Sequence, residues 1–426
     1  MCNFIVCGAP EMKAEENELL IKVGPDTPGG KMLRRYWHPI ALSSEVADPD
    51  CPPIFTMLLG QRFVVFRDTE GRVGVLDDRC MHRGVSLSLG RNEEGGLRCI
   101  YHGWKFDVEG NILETPNDST CSYVGKRKQG AYPVIEKSGL IWTYIGPKEL
   151  QPPFREFMHD TVPDENRIVA RGNIDAPYLS MWEGGADSSH VGCLHTNFVR
   201  LNWAKGRRGE ESEPSVWDGL APTYDAEDTD YGYRYVAFRD VPNDESKVQI
   251  RLSPEIMPGM RALAGEKGDI PFDLFIIEVP MDDNRTATFS VYYSKTCAIT
   301  EHADMIKTLV GTTDKYFDLE TNETKLSWPN NMMQDRDAMA KDNWTGYTSI
   351  KPEDISMTLS LGEDWDRTTE NLVTADLAVI RLRRMITRAI KANEDGGDPP
   401  GLALTDLTHL EATFEAIDKT DDWKKY

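Results

Sequence analysis

Basic residues are scarce in this chain: 48 Lys plus Arg stand against 70 Asp plus Glu in 426 residues, a formal net charge of −22. A surface that tracks phosphates needs clustered Lys and Arg, so nucleic acid and anionic membrane are excluded as partners. No window approaches the ~20 apolar residues that span a bilayer. The opening MCNFIVCGAPEMKAEENELL has no basic region before its brief apolar run, so neither a membrane span nor a secretory signal is expected and the protein reads as cytoplasmic. Cysteine is sparse as well. Cys2, Cys7, Cys51, Cys80, Cys99, Cys121, Cys193 and Cys297 are scattered along the chain, whereas a disulfide-stapled domain is short and cysteine-dense, so reduced thiols or metal ligands are expected. A glycine-rich dinucleotide fingerprint, internal repeats and low-complexity tracts are all absent.

What is present suffices for a folded chain of two or three domains, since 40% of the residues are apolar and a domain averages roughly 150 residues. Between about 37 and 147, short β-type runs alternate with Gly, Asp and Asn turns (RFVVFRDTEGRVGVLDDRC, WKFDVEGN, SGLIWTYIGP), the pattern of a small antiparallel β domain. Residues 147–167 are rich in Pro and charge without apolar periodicity and read as a linker. Beyond them, strand-like runs at 231–240, 247–256, 273–280 and 286–294 are followed by a segment at 370–393. There Leu372, Ala375, Val379, Leu382, Ile386 and Ala389 recur at three- and four-residue steps, as in an amphipathic helix. The second part is therefore α+β.

Two short Cys/His pairs, Cys80-Met-His82 and Cys99-Ile-Tyr-His102, lie 16 residues apart. A hairpin loop can present a thiolate and an imidazole together, and two such loops make a four-ligand site. Tetrahedral zinc and a [2Fe–2S] centre with two Cys on one iron and two His on the other both fit that ligand set. Zinc fingers usually keep Cys with Cys and His with His, which shifts the balance toward iron and sulfur. The string CIYHGWKFDVEGNILETP resembles the Rieske loop of ring-hydroxylating oxygenases, which implies a Rieske [2Fe–2S] cluster on Cys80, His82, Cys99 and His102.

Downstream, Glu183, Asp187 and His190 are spaced i, i+4, i+7, so a helix would place them on one face. His195 lies about 140° further round an ideal helix from His190. The two histidines can share an ion only if the helix widens or ends between them. YLSMWEGGADSSHVGCLH resembles the mononuclear-iron motif of Rieske non-heme iron oxygenases, particularly the phthalate dioxygenase-like group. The resemblance extends over ENELLIKVGPDTPGGKMLRRYWHPIALSSEV near the start and QDRDAMAKDNWTGYTSIKPEDISMTLSLGEDWDRTTENL near the end. It implies mononuclear non-heme Fe(II) held by His190, His195 and a later carboxylate, for which Asp354 is the matching position. It also implies that Asp187 bridges His190 to the partner subunit's His102 within a head-to-tail homotrimer or a hexamer. The chain departs from related motifs in carrying Pro177 and Ser180 where Asn and Gln are usual on the turn before Glu183.

The resemblance further implies an N-terminal Rieske antiparallel β domain (37–155) after an N-terminal segment (1–36), then a catalytic domain (156–426) with an antiparallel sheet surrounded by helices. O2 and an aromatic acid would be the substrates, with electrons from NAD(P)H through a separate flavin/iron–sulfur reductase, with or without a separate ferredoxin. The reaction would be ring hydroxylation of a phthalate-like acid, or O-demethylation of a methoxylated, lignin-derived or biaryl acid. On a protein of charge −22 an anionic substrate needs a local cation, ideally Arg with bidentate geometry; Arg234 and Arg251 are the chosen positions. The polar insert 200–219, with Trp203 and Trp217, is expected to shape the pocket. The rival readings are a Rieske-type electron carrier, which would need only about 110 residues, and a zinc-stabilised binding module.

Overall fold

Two stretches far apart in sequence build one unit of the fold, and the chain before, between and after them builds the other. The computed structural model describes residues 12–264, 271–363 and 365–426. Val23–Phe154 and Val279–Asp283 form one unit; the described parts of Met1–Lys22, Arg155–Glu278 and Asn284–Tyr426 form the second. The division falls between Phe154 and Arg155, inside the Pro-rich stretch 147–167. The expected N-terminal segment 1–36 is not a separate piece: its described residues to 22, with helix α1 (Ala14–Ile21), belong to the second unit and 23–36 to the first.

The first unit opens with helix α2 (Pro28–Leu33), where the Thr27 hydroxyl accepts from the Gly30 amide at 3.0 Å as N-cap. Ten strands follow: β1 (Trp37–Leu42), β2 (Ile54–Leu58), β3 (Gln61–Arg67), β4 (Val73–Asp77), β5 (Arg91–Glu93), β6 (Gly96–Arg98), β7 (Lys105–Phe106), β8 (Ile112–Glu114), β9 (Val134–Lys137) and β10 (Leu140–Tyr144). They pair as three small antiparallel sheets, β1-β10-β9, β2-β3-β4 and β5-β6-β7-β8. The β2–β3 turn is Leu59-Gly60 with φ of 52° and 77°, the positive pair that matches the right-handed strand twist. Val64, Phe66, Leu76, Leu87, Leu97 and Phe106 bury a core that also contains Cys80, Cys99 and Trp104.

The second unit begins with a two-residue parallel pair, β11 (Glu156–Phe157) with β19 (Asp406–Leu407). Its centre is an eight-stranded sheet in the order β12 (Arg167–Ile174), β18 (Thr286–Tyr293), β17 (Asp273–Pro280), β16 (Met260–Leu263), β15 (Lys247–Ile256), β14 (Gly232–Asp240), β13 (Thr223–Asp228), with β20 (Thr413–Asp418) also on β15. One side of β15 is shared: β20 pairs with Lys247–Leu252, and β16 with Glu255 and Ile256. Helices α3 (Tyr178–Ala186), α4 (Val191–Leu194), α5 (Thr196–Val199), α6 (Leu201–Arg207), α7 (Ala303–Val310), α8 (Arg336–Met339), α9 (Ile350–Leu361) and α10 (Leu377–Glu394) accompany it. This is the expected α+β arrangement, an antiparallel sheet with helices around it.

The registers Tyr235↔Ser253 and Ala237↔Arg251 set Tyr235, Arg239, Arg251, Ser253 and Glu255 on one face of the sheet. Val236, Ile250, Leu252, Ile417 and Trp423 form a hydrophobic cluster on the other. Helix α10 starts at Leu377, not at 370, because the Asp376 carboxylate accepts from the Val373 amide at 2.6 Å and holds a separate one-turn helix, Thr374–Asp376. Val379, Leu382, Ile386 and Ala389 are buried as the periodicity requires. Among the described residues, no helix is long and apolar enough to cross a membrane, and the six described cysteines are free; Cys2 and Cys7 lie outside the described residues.

Candidate functional site

Two loops of the first unit are built alike. In each, a glycine amide closes back on a cysteine carbonyl, Gly84 on Cys80 at 2.7 Å and Gly103 on Cys99 at 2.9 Å. Both glycines have positive φ, 74° and 76°, a conformation open to glycine at little cost. The loops bring the His82 and His102 rings to 4.5 Å between centroids, and His82 lies parallel to Trp104 at 4.8 Å. Both cysteines are buried. Burial, with the neighbouring Cys99 thiol adding to it, pushes the Cys80 thiol up to about 11, so this thiol ionises only beside a compensating cation. His102 Nδ1 is buried without a hydrogen-bond partner. Two soft thiols and two imidazoles, one with an unpartnered buried nitrogen, fit a metal or iron–sulfur group.

In the second unit, α3 ends where its sequence supplies a competing acceptor. Asp187 turns extended (ψ 115°) and its carboxylate takes the Ser189 amide at 2.6 Å, the Ser189 hydroxyl at 2.7 Å and the His190 amide at 3.2 Å; such a local turn replaces the next helical bonds. The continuous helical face expected for Glu183, Asp187 and His190 is therefore not formed. Glu183 instead sits in a buried ion cluster with Arg367 (3.0 Å) and Arg383 (2.6 Å). Because the helix breaks, His190 and His195 come together, their rings 5.1 Å apart and inclined at 78°.

Helix α9 supplies the carboxylates. Asp354 Oδ1 lies 3.6 Å from His190 Nε2 and 3.2 Å from His195 Nε2, and one ligand atom from each of these three residues lies within 4.8 Å of the others. The outer nitrogens are held too: His190 Nδ1 is 3.4 Å from Asp187 Oδ2, and His195 Nδ1 is 2.7 Å from Glu353 Oε2. Glu353 is fully buried and also accepts from the Thr345 hydroxyl and, at 3.2 Å, the Asn197 amide. Burial acts to lower His195, but the Asp354 and Glu353 carboxylates outweigh it and push the imidazole up to about 10. Burial acts to raise Asp187, yet His190 and Ser189 hold it down at about 2. The carboxylates thus demand positive charge among them, which a divalent cation with neutral imidazoles supplies.

The two arginines chosen from sequence part company. Arg234 lies on the sheet face away from Arg251, where its guanidinium is used up by Glu227 (2.6 Å), the Lys424 and Tyr426 carbonyls (2.9 Å each) and the Trp423 ring. It does not reach the His190–His195–Asp354 group, because the register Arg234↔Pro254 against Ala237↔Arg251 fixes opposite sides. Arg251 lies on the face it shares with Tyr235 and Arg239, with a buried, unpartnered Nη1. From the insert, Trp217 stacks on Phe414 at 5.3 Å with the Arg239 guanidinium 4.4 Å over it, whereas Trp203 packs edge-on to Trp344. Sequence reasoning missed Glu353 as a partner of His195. The one signal was its place beside Asp354 on a helix, where neighbours are ~100° apart and can serve two sides of one site.

Residues 36–129 match the family described as Rieske [2Fe-2S] domain and residues 143–426 the family described as LigXa C-terminal domain like. The chain is 35% identical to the phthalate 4,5-dioxygenase oxygenase subunit of Pseudomonas putida, over 97% of this chain and 94% of that one. It is 32% identical to the 3-chlorobenzoate-3,4-dioxygenase oxygenase subunit of Comamonas testosteroni, over 96% of each. It is 28% identical to the 5,5'-dehydrodivanillate O-demethylase oxygenase subunit of Sphingobium sp. (strain NBRC 103272 / SYK-6), over 92% of this chain and 83% of that one. The terminal oxygenase of carbazole 1,9a-dioxygenase from Novosphingobium sp. KA1 shares the fold, with TM-score 0.57, 20% identity and coverage of 85% and 94%.

Proposed function

This chain belongs to the oxygenase components of the Rieske non-heme iron oxygenases, in the phthalate dioxygenase-like group, and from that premise we propose that it oxidises an aromatic carboxylic acid with O2 and electrons drawn from NAD(P)H. The observation that carries the reading is the convergence of His190, His195 and Asp354 in the unit whose sheet presents the half-buried Arg251, its buried Nη1 without a hydrogen-bond partner. Residues 37–155 would form the cluster domain and 156–426 the iron domain. A bare electron carrier would leave the second group without a task.

Cys80, Cys99, His82 and His102 would hold the [2Fe–2S] cluster, and His190, His195 and Asp354 the iron. Together these centres would supply single-electron delivery and reductive oxygen activation when bound. Glu353 fixes the His195 tautomer by accepting from its Nδ1, leaving Nε2 to bind metal. Asp187 does the same for His190 through Oδ2, and the partner subunit's His102 would approach the same carboxylate in a cyclic homotrimer or hexamer. Arg251 would take the substrate carboxylate as a charge-assisted pair. A separate flavin/iron–sulfur reductase, directly or through a ferredoxin, would feed the cluster, since the chain has no dinucleotide fingerprint of its own.

The test is turnover by the holoenzyme with a reductase and NADH on phthalates, methoxylated benzoates and biphenyl acids, with formaldehyde and ring-hydroxylated products both measured. Formaldehyde matching NADH use would identify O-demethylation, and hydroxylated ring products the phthalate-type reaction. His190→Ala should abolish either product while sparing the visible absorption of the cluster; unchanged turnover would refute the assignment.

A further inference from the structure

Strand β15 carries Arg251, Ser253 and Glu255 at alternate positions on one face, so four residues at ~3.3 Å each put about 13 Å between the two ends. Tyr235 stands across from Ser253, and Tyr224 and Arg239 extend the same face on β13 and β14. The face lies beneath α3: the Trp182 indole donates to Glu255 Oε2 at 2.6 Å, and the charge of Asp187 reaches Tyr224, Tyr235 and Arg239. Buried polar atoms there without a hydrogen-bond partner include the Tyr224 hydroxyl, Arg239 Nε, Arg251 Nη1 and Glu255 Oε1. A buried polar group left unmade is costly, and several on one face point to an occupant that completes them. Arg251 alone accounts for a carboxylate; Glu255, fully buried at the other end, is not explained by one.

We infer that Glu255, with Ser253 beside it, is a specificity-determining residue that receives a second oxygen function of the substrate, a phenolic hydroxyl or a methoxy group remote from the carboxylate held by Arg251. The inference rests on the aromatic-acid reading above and narrows it to hydroxylated or methoxylated aromatic acids. Arg261 stands across from Glu255 in the register and spends its Nη2 on Glu278 at 3.0 Å, while its Nε and Nη1 make no hydrogen bond to the Glu255 carboxyl. Burial, against the pull of Arg261, pushes the Glu255 carboxyl up to about 8, so at neutral pH it is protonated. Its O–H can then donate to an ether or phenol oxygen, which an ionised carboxylate could not do. A neutral acid in this place also does not repel the carboxylate at the far end of the same ligand.

The test is calorimetric binding of benzoate, 4-hydroxybenzoate and 4-methoxybenzoate to anaerobic holoenzyme. Wild type should bind the two oxygenated acids at least about tenfold more tightly than benzoate, the worth of one buried hydrogen bond. Glu255→Leu should bring that ratio close to one with benzoate affinity held within about twofold, and Glu255→Gln, which keeps a donor and an acceptor, should preserve most of it. Ser253→Ala, a smaller change that serves if the Leu variant does not fold, should lower the ratio about threefold. A ratio unchanged in every folded variant, an equal loss of all three acids, or a wild-type ratio of one would overturn the inference while leaving the aromatic-acid reading intact. A wild type that binds none of the three overturns both.

Discussion

Replacing Glu353 by Gln should loosen the iron without disturbing the cluster. The carboxylate of Glu353 receives three donors: His195 Nδ1 at 2.7 Å on one oxygen, and the Thr345 hydroxyl and Asn197 amide (3.2 Å) on the other. An amide offers one accepting oxygen and one NH2 group, so either His195 or the Thr345–Asn197 pair must face a donor. The loss is one charge-assisted bond, about 1.5–3 kcal/mol, and partner groups behind ligating histidines are worth about 10–100-fold in metal affinity, the same range. The assay is anaerobic Fe(II) titration of protein stripped of mononuclear iron, with the visible spectrum of the cluster as an internal control. Expected is an Fe(II) dissociation constant raised about 10–100-fold with the cluster spectrum unchanged. Wild-type affinity would refute the role given to Glu353, and so would a parallel loss of the cluster, which would mark a general folding defect.

The remaining expectations concern pH, packing and charge. Because the folded Glu255 carboxyl sits near 8 against an ordinary 4.5, its contribution to stability is full below the ordinary value and is lost as pH rises through about 8. The melting temperature of Glu255→Gln should accordingly fall less between pH 5 and 8.5 than that of wild type, and parallel curves would contradict the burial argument. Gly185→Ala places a Cβ 2.0 Å from Arg261 Nε and should cost about 1–3 kcal/mol of stability in urea unfolding; an unchanged midpoint would show that Arg261 moves freely. Arg251→Ala should raise KM for an aromatic acid by about tenfold or more. Arg234→Ala, which loses only contacts on the opposite face, should leave KM alone, and the reverse ranking would place the substrate on that opposite face. Glu183→Ala strips a shared partner from two buried arginines and should destabilise by roughly 3–5 kcal/mol, read by thermal unfolding with iron content measured in parallel.

Strong local patterns were legible in the sequence. The runs at 231–240, 247–256, 273–280 and 286–294 emerge as β14, β15, β17 and β18 to within a residue at each end, since apolar runs of that length need burial on a sheet. That the two Cys/His loops would meet, and that His190, His195 and Asp354 would group, was readable because such residue types at short spacing are restricted. Register was not. Arg234 and Arg251 look alike in sequence, and only the six-residue turn between β14 and β15 decides that their side chains leave opposite faces. The break after Ala186 and the delayed start of α10 both depend on an aspartate side chain that takes backbone amides, a competition that apolar periodicity does not register. Glu353 was indistinguishable from solvated acids until the fold buried it against His195.

The unit of 23–154 has a consequence for how the protein is made. Its cluster loops close through bonds within a few residues of one another, but the unit also takes in 279–283, where the Leu59 amide donates to the Pro280 carbonyl and the Gly60 amide to Met281. At about 5–20 residues per second of synthesis, residue 283 leaves the ribosome roughly 6–26 s after residue 154. His195 then waits a further stretch of chain for Asp354. The two Cys/His loops are thus complete on the nascent chain before His190, His195 and Asp354 can come together.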